Sequence, residues 1–341
     1  MKFLLKPWFG PAFAIAAALV ALQTPAASFL ELISPRDGSL SPVAGGSGSS
    51  EMPVVSADGR YILFASTAKN LTLLTNAAPM TAPTLPALNV FLRDCASNTT
   101  TLVSVDLTGT GGGNGDSFPF GISTNGQFVL LESSAGNLVA NDTNNAQDIF
   151  VRDVVNNTTT LVSVNTNGWS GGGESRDPAM TPDGRYVTFT SAAEDLVPGP
   201  TNGVPDIFVR DLQSNTTTLV SVGAVPTISF PFGSSEVPEI TPDGRYVAFY
   251  STATNLVPGV TTSGEIYVRD LVAENTFWAS ASANSVFQSV AGGTSEVACN
   301  FSISTNGQFV AFETCTNPPL GDAPRGIILR YNLQSSLTDV I

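Results

Sequence analysis

An Asp-Gly or Asn-Gly turn followed by a short aromatic and aliphatic strand is written five times along this chain, beginning at Asp58, Asn125, Asp183, Asp243 and Asn306. A polar loop follows each copy. Four copies then carry an Arg-Asp strand end, at Arg93-Asp94, Arg152-Asp153, Arg210-Asp211 and Arg269-Asp270. In three of them Thr-Thr-Leu-Val-Ser comes next. The repeat is about 60 residues long. A unit of that size, built from short strands with no helical period, is the mark of a β-propeller blade. The repeat therefore constrains the fold tightly and the function loosely.

Residues 235–280 give the cleanest copy. Ser235–Ile240 reads as a first strand lining the axis, and Thr241-Pro242-Asp243-Gly244 as the turn, with Pro presetting φ and Gly accepting a positive φ. Arg245–Ser251 alternates as a half-buried second strand, Glu265–Arg269 is a third, and the segment around Phe277–Ser280 is the outer one. The fifth copy is degenerate, with Ile328-Leu329-Arg330-Tyr331-Asn332 in place of the Arg-Asp end. The chain is thus predicted to be all-β, a propeller of five four-stranded blades closed by terminal strand pairing. Phe29–Ser34 occupies the slot that Leu-Val-Ser fills before other blades, and Leu337–Ile341 is a second candidate for the outer strand of the last blade.

Two segments bear on compartment. Residues 1–27 read as a signal peptide: Lys2 and Lys6, an apolar run from Pro11 to Leu22, then small residues Thr24, Ala26 and Ala27. Residues 28–341 are then one propeller domain, exported to the periplasm or secreted, with no membrane span after cleavage. The net charge of −14 disfavours nucleic acid and anionic lipid, because phosphate neutralisation has nothing to draw on. Of the three cysteines, Cys299 and Cys315 flank the hairpin turned at Ser304–Gly307, and in an oxidising compartment they are expected to form a disulfide, leaving Cys95 unpaired.

Thr181-Pro182-Asp183-Gly184-Arg185-Tyr186 and Thr241-Pro242-Asp243-Gly244-Arg245-Tyr246, each followed by a loop and a Val-Arg-Asp-Leu strand end, resemble the WD-repeat-like propeller repeat of the periplasmic TolB family. The likeness extends over roughly residues 48–335. It implies a propeller. Members of that repeat class include envelope scaffolds and the propeller halves of serine peptidases, so no single activity follows from it.

The chemistry is narrowed by a single absence. The sequence contains no histidine, which removes Ser-His-Asp and Cys-His catalysis and His-ligated metals, and there is no Gly-x-Ser-x-Gly elbow. No cofactor is expected. Carboxylates remain. Glu51, Asp177, Glu236 and Glu239 fall at first-strand positions of different blades, with Arg176 nearby. The preferred reading makes them polar lining of the channel, and the alternative makes them the acids of a five-bladed glycosidase. Asn141-Asp142-Thr143-Asn144-Asn145-Ala146-Gln147-Asp148 has oxygen side chains at Asp142, Asn144 and Asp148 in calcium-loop fashion, but lacks the central Gly and terminal Glu of an EF-hand, so it is read as a polar surface loop. The repeated Arg-Asp ends, and the Asn-Thr-Thr segments at Asn98, Asn157 and Asn215, are read as structural turns. These readings converge on a monomeric, non-catalytic scaffold that binds a protein or glycan partner at the channel mouth through first-strand residues, with further contacts from the loops Asn137–Asp148, Val197–Asp206 and Val257–Glu265 unless those lie at the opposite face.

Overall fold

The computed structural model describes residues 32–35, 46–72, 87–199, 203–224, 234–292, 295–316 and 326–341. Residues 1–27, read as a signal peptide, lie outside them, as do residues 29–31 of the Phe29–Ser34 segment. Five four-stranded antiparallel sheets follow one another along the chain, each in simple sequence order. Blade one is β1 (Ser50–Val55), β2 (Tyr61–Ser66), β3 (Asn89–Asp94) and β4 (Thr99–Leu102). Blade two is β5 (Ser117–Ile122), β6 (Phe128–Ser133), β7 (Asp148–Asp153) and β8 (Thr158–Leu161). Blade three is β9 (Ser175–Met180), β10 (Tyr186–Ser191), β11 (Asp206–Asp211) and β12 (Thr216–Leu219). Blade four is β13 (Ser235–Ile240), β14 (Tyr246–Ser251), β15 (Glu265–Asp270) and β16 (Asn275–Trp278). A short helix, α1 (Ala283–Val290), leads into blade five: β17 (Ser295–Ile303), β18 (Phe309–Thr316), β19 (Gly326–Asn332) and β20 (Leu337–Val340). The count and layout of five four-stranded blades are as predicted; among the described residues each sheet is built from its own consecutive strands, with no pairing between an N-terminal strand and the last blade. Blade five takes its outer strand from the C-terminal segment, since β20 pairs with β19.

The core lies between the blades. Successive strand residues point to opposite faces, so Leu131 packs with Leu63 and Val90 of blade one, whereas Leu130 packs with Val187 and Phe189 of blade three. Val247 and Phe249 likewise face Ile207 of blade three, and Ala248 faces Val310 of blade five. Middle strands buried on both sides explain the near-continuous apolar runs, such as Val129-Leu130-Leu131. Ile33 packs against Phe64 and Phe91 of blade one, in the slot where Val103, Val162 and Val220 serve later blades.

The turns show why the repeat is written as it is. The hydroxyl of Thr181 donates to Asp183 Oδ1 at 2.6 Å and accepts from the Tyr186 N–H at 3.0 Å, which locks the hairpin. Ser56, Ser123, Thr241 and Ser304 donate to their own turn carboxylate or amide in the same way. The glycine after each is left-handed, with φ between 68° at Gly307 and 79° at Gly184. It is also a docking point. A Cβ on Gly126 would stand 2.3 Å from the ring of Tyr61 in the preceding blade, and Gly184, Gly244 and Gly307 meet Phe128, Tyr186 and Tyr246 in turn. Gly59 meets nothing within 4 Å.

The Arg-Asp ends are structural, as read, but not as pairs with each other. Asp94, Asp211 and Asp270 bind the arginine of their own turn, Arg60, Arg185 and Arg245, each at 2.8 Å. That arginine lies over the adjacent Tyr61, Tyr186 or Tyr246 ring. Arg152, Arg210 and Arg269 reach Thr159, Thr217 and Thr276 on the outer strand. Asn98, Asn157 and Asn215 are left-handed turn residues, at φ 58°, 56° and 56°.

Helix α1 departs from the sequence reading, which has none in this connection. Its Ala283 and Phe287, one turn apart, are buried, and that single apolar stripe is too brief to stand out in a β-rich chain. The blade-five hairpin pairs Cys315 with Glu296, and the register shifts between Val297 and Phe301. Cys299 lies inside that irregular stretch with its side chain outside the described residues.

Candidate functional site

Inner strands begin, and second strands end, at one face of the propeller. The loops between second and third strands share that face: the carbonyls of Leu88, Gln147 and Pro205 accept from the N–H of Ser117, Ser175 and Ser235, the first residue of the next inner strand. The recognition loops proposed from sequence therefore lie at the same end as Asp177 and Glu236, near the starts of β9 and β13.

The inner strands are bulged there. Opposite β10, Arg176 pairs with Thr190 and Ala179 with Thr188, which leaves Asp177 and Pro178 against one residue. Asp177 is left-handed at φ 53°, as are Met52 and Val237 at matching positions before Pro53 and Pro238. For a non-glycine residue this conformation costs on the order of 1–3 kcal/mol. In blade three the bulge turns the Asp177 N–H out of the ladder, and it donates to Glu132 Oε2 of blade two at 3.0 Å.

That bond opens a network across three blades. Glu132, at the end of β6, also accepts from the side-chain amide of Gln147 in the loop Asn137–Asp148. Burial pushes its pKa up to about 7, so near neutral pH it is poised between charged and neutral forms. Arg176 reaches Asp177 Oδ2 at 2.9 Å, Glu236 Oε1 at 3.4 Å and Glu174 Oε1 at 3.8 Å. The Asp177 pKa is raised by burial, against the pull of Arg176. Four carboxylates and one guanidinium thus share one partly open surface. It suits hydroxyl, amide and cationic groups and repels anions.

Of the four acids singled out from sequence, the structure gathers two. Asp177 and Glu236 share Arg176. Glu239 instead accepts from the Ile303 N–H at 2.9 Å, tying blade four to blade five. Glu51 is exposed on β1 opposite Ala65. Glu132 escaped sequence reading because it lies on a second strand. The signal was variation within the repeat, since the same position holds Ala65, Thr190, Tyr250 and Glu313 elsewhere.

The Asn141–Asp148 loop is more deeply set than its polar sequence suggests. Asp142 is 7% exposed and Asp148 fully buried. Asp148 accepts from the Ser163 hydroxyl at 2.6 Å and from the Asn144 amide at 2.8 Å. Burial, with the Asp142 charge adding to it, lifts its pKa to about 7. Its link to Ser163 is shared by the blades: Ser104 binds Asn89, Ser221 binds Asp206 and Ser280 binds Glu265. A groove of about 900 Å³ lies apart from the axial network, against outer strands of blades one and two, lined by Thr100, Leu107, Leu138 and Arg152.

No helix among the described residues is long and apolar enough to cross a membrane. No family model matches the chain. No curated protein sequence matches it either. Among solved structures it is similar to a protein assigned as TolB from Agrobacterium tumefaciens, at 17% identity and TM-score 0.45, covering 87% of this chain and 82% of that one. TolB from Acinetobacter baumannii is similar at 16% identity and TM-score 0.44, over 86% of this chain and 54% of that one. Oligogalacturonate lyase from Vibrio parahaemolyticus is similar at 12% identity and TM-score 0.46, over 84% of this chain and 63% of that one.

Proposed function

We propose that this chain is an exported, non-catalytic propeller that binds a protein or glycan partner at the face carrying Glu132, Glu174, Arg176, Asp177 and Glu236. The observation that carries the reading is the way these groups are tied. Arg176 is divided among three carboxylates, and Glu132 accepts from two N–H donors. Such a surface is preorganised for hydrogen bonding and presents no unengaged acid aimed at a reacting atom. The sequence of residues 1–27 supports export, and the acidic balance supports a neutral or cationic partner.

Binding to a glycan array and capture from envelope extract, each run with wild type and Arg176→Ala, test this. The expected result is retention by the wild type, at least tenfold weaker in the variant, with no product formed. Equal retention by both would remove the axial face from the reading.

A second reading, a glycosidase working with carboxylates alone, is favoured by one observation: Glu132, held near pKa 7 by burial, stands beside a second carboxyl at Asp177, so one of two adjacent acids can carry a proton near neutral pH. Reducing-end release from furanoside or pyranoside oligosaccharides, abolished in Glu132→Gln and Asp177→Asn, would replace the scaffold with the enzyme.

A further inference from the structure

Asp142 is the one side chain among the described residues whose two buried carboxylate oxygens both lack a hydrogen bond of normal geometry, with the Asn144 N–H and the Ser170 hydroxyl as the donors that lie against it. An ionised carboxylate taken out of water without a partner is strongly disfavoured, so a fold that keeps one there normally supplies a cation. Among the described residues no salt bridge reaches it.

The donors nearest in sequence are committed elsewhere. The Thr143 N–H goes to the Ser170 hydroxyl at 2.9 Å, and the Ala146 N–H to Asn144 Oδ1 at 2.8 Å. The Asn144 amide divides itself between Asp148 Oδ2 and the Gly171 carbonyl, both at 2.8 Å. Ser170 in turn donates its N–H to the Asn141 carbonyl at 2.8 Å. The loop is pinned from both sides, and Asp142 is left with only the Asn144 N–H and the Ser170 hydroxyl beside it, neither in normal hydrogen-bond geometry, and with no cationic side chain. The neighbouring blades sharpen the point. Counted from the last residue of the second strand, Asp142 corresponds to Pro200 in blade three and to Val260 in blade four. Val260 is 8% exposed and packs in the apolar core. Blade two therefore places a carboxylate where the fold accepts a valine.

We propose that the Asn141–Asp148 loop binds a calcium-class divalent cation, with Asp142 as the anchoring ligand and Asp148 as the second carboxylate. The donor set is all oxygen: two carboxylates balance a charge of two, while the Asn144 side-chain oxygen within the loop and the Ser170 hydroxyl from the following blade connection are neutral oxygens. Among the described residues no three His, Cys, Asp or Glu side chains gather at metal-binding range, which speaks against zinc and leaves a hard cation that completes its shell with neutral oxygens and water.

Calorimetric titration with calcium chloride, and thermal unfolding of the full chain with calcium or with EDTA, test the site. At saturating calcium Tm should rise by about 5 °C, and EDTA should reverse the rise. Asp142→Asn and Asp142→Val, the latter copying blade four, should abolish both the heat and the shift. Terbium offers a readout on the unmutated loop: Trp169 precedes Ser170 in sequence, so excitation of tryptophan should give terbium emission that calcium competes away. Trp169→Phe should lose that emission while keeping the calorimetric signal. Absence of calcium heat in the wild type would overturn the proposal. So would a calcium response that survives Asp142→Val.

Discussion

Blades two and four share backbone, turn chemistry and the Ser clamp on the third strand, yet place their charges differently. Blade four holds Arg245 against Asp270, whose pKa the guanidinium lowers to about 2, and has Tyr250 and Val260 at the positions of Glu132 and Asp142. Blade two replaces the outer pair by Gln127 donating to Asp153 at 2.9 Å, and carries its acids inward at Glu132 and Asp142. In a repeat protein, what every copy keeps reports on folding, while a costly departure in one copy reports on something local to it.

The comparison can be broken most severely by transplanting the departure. Val260→Asp buries a carboxylate in the apolar core of blade four, and should cost about 4 kcal/mol in urea denaturation, with or without calcium. A mild effect would mean that any blade accommodates an acid there, and that Asp142 is ordinary. Next in size is Glu132. Its folded pKa of about 7 lies above the ordinary 4.5, so it leaves stability untouched below about pH 4.5 and lowers it as the pH rises through 7. The difference is ~3 kcal/mol. Glu132→Gln should flatten that fall, and a pH–stability curve identical to wild type would show the carboxyl to be solvated. The shared features should behave alike: Gly126→Ala and Gly244→Ala each force a left-handed alanine onto a ring and should each cost about 2 kcal/mol. Unequal costs would show that the interfaces of the two blades differ. The smallest effect belongs to Gln127→Arg, which gives blade two the outer pair of blade four and should add about 0.5 kcal/mol, as exposed pairs do.

The sequence made the blades legible because each turn is a local device. Ser or Thr, Asp or Asn, and Gly are demanded by hydrogen bonds and a positive φ within six residues, so they recur in plain view. The axial site was half legible. Asp177 and Glu236 were identified by strand position, but Glu239 was taken by the Ile303 N–H of the next blade, and Glu132 entered through a bulge that turns one N–H sideways. Neither event leaves a pattern in the chain itself, because both depend on where a neighbouring blade lies. Asp142 was recognised as an oxygen ligand type, and only its burial distinguished it from a turn residue. Cys299 and Cys315 show the same limit. Counting outward from the turn sets them nearly opposite, whereas the shift between Val297 and Phe301 brings Glu296 opposite Cys315. Non-reducing peptide mapping decides whether they are joined.

The glycine-to-ring contact between successive blades has a kinetic consequence. It couples each blade to the one before it in sequence, and among the described residues no ring stands against Gly59. β1 is correspondingly the most solvent-open of the inner strands in blades one to four. Unzipping should therefore start at blade one, with β1 amides exchanging hydrogen well before those of β9, and the array should peel from that end rather than melt as a single block.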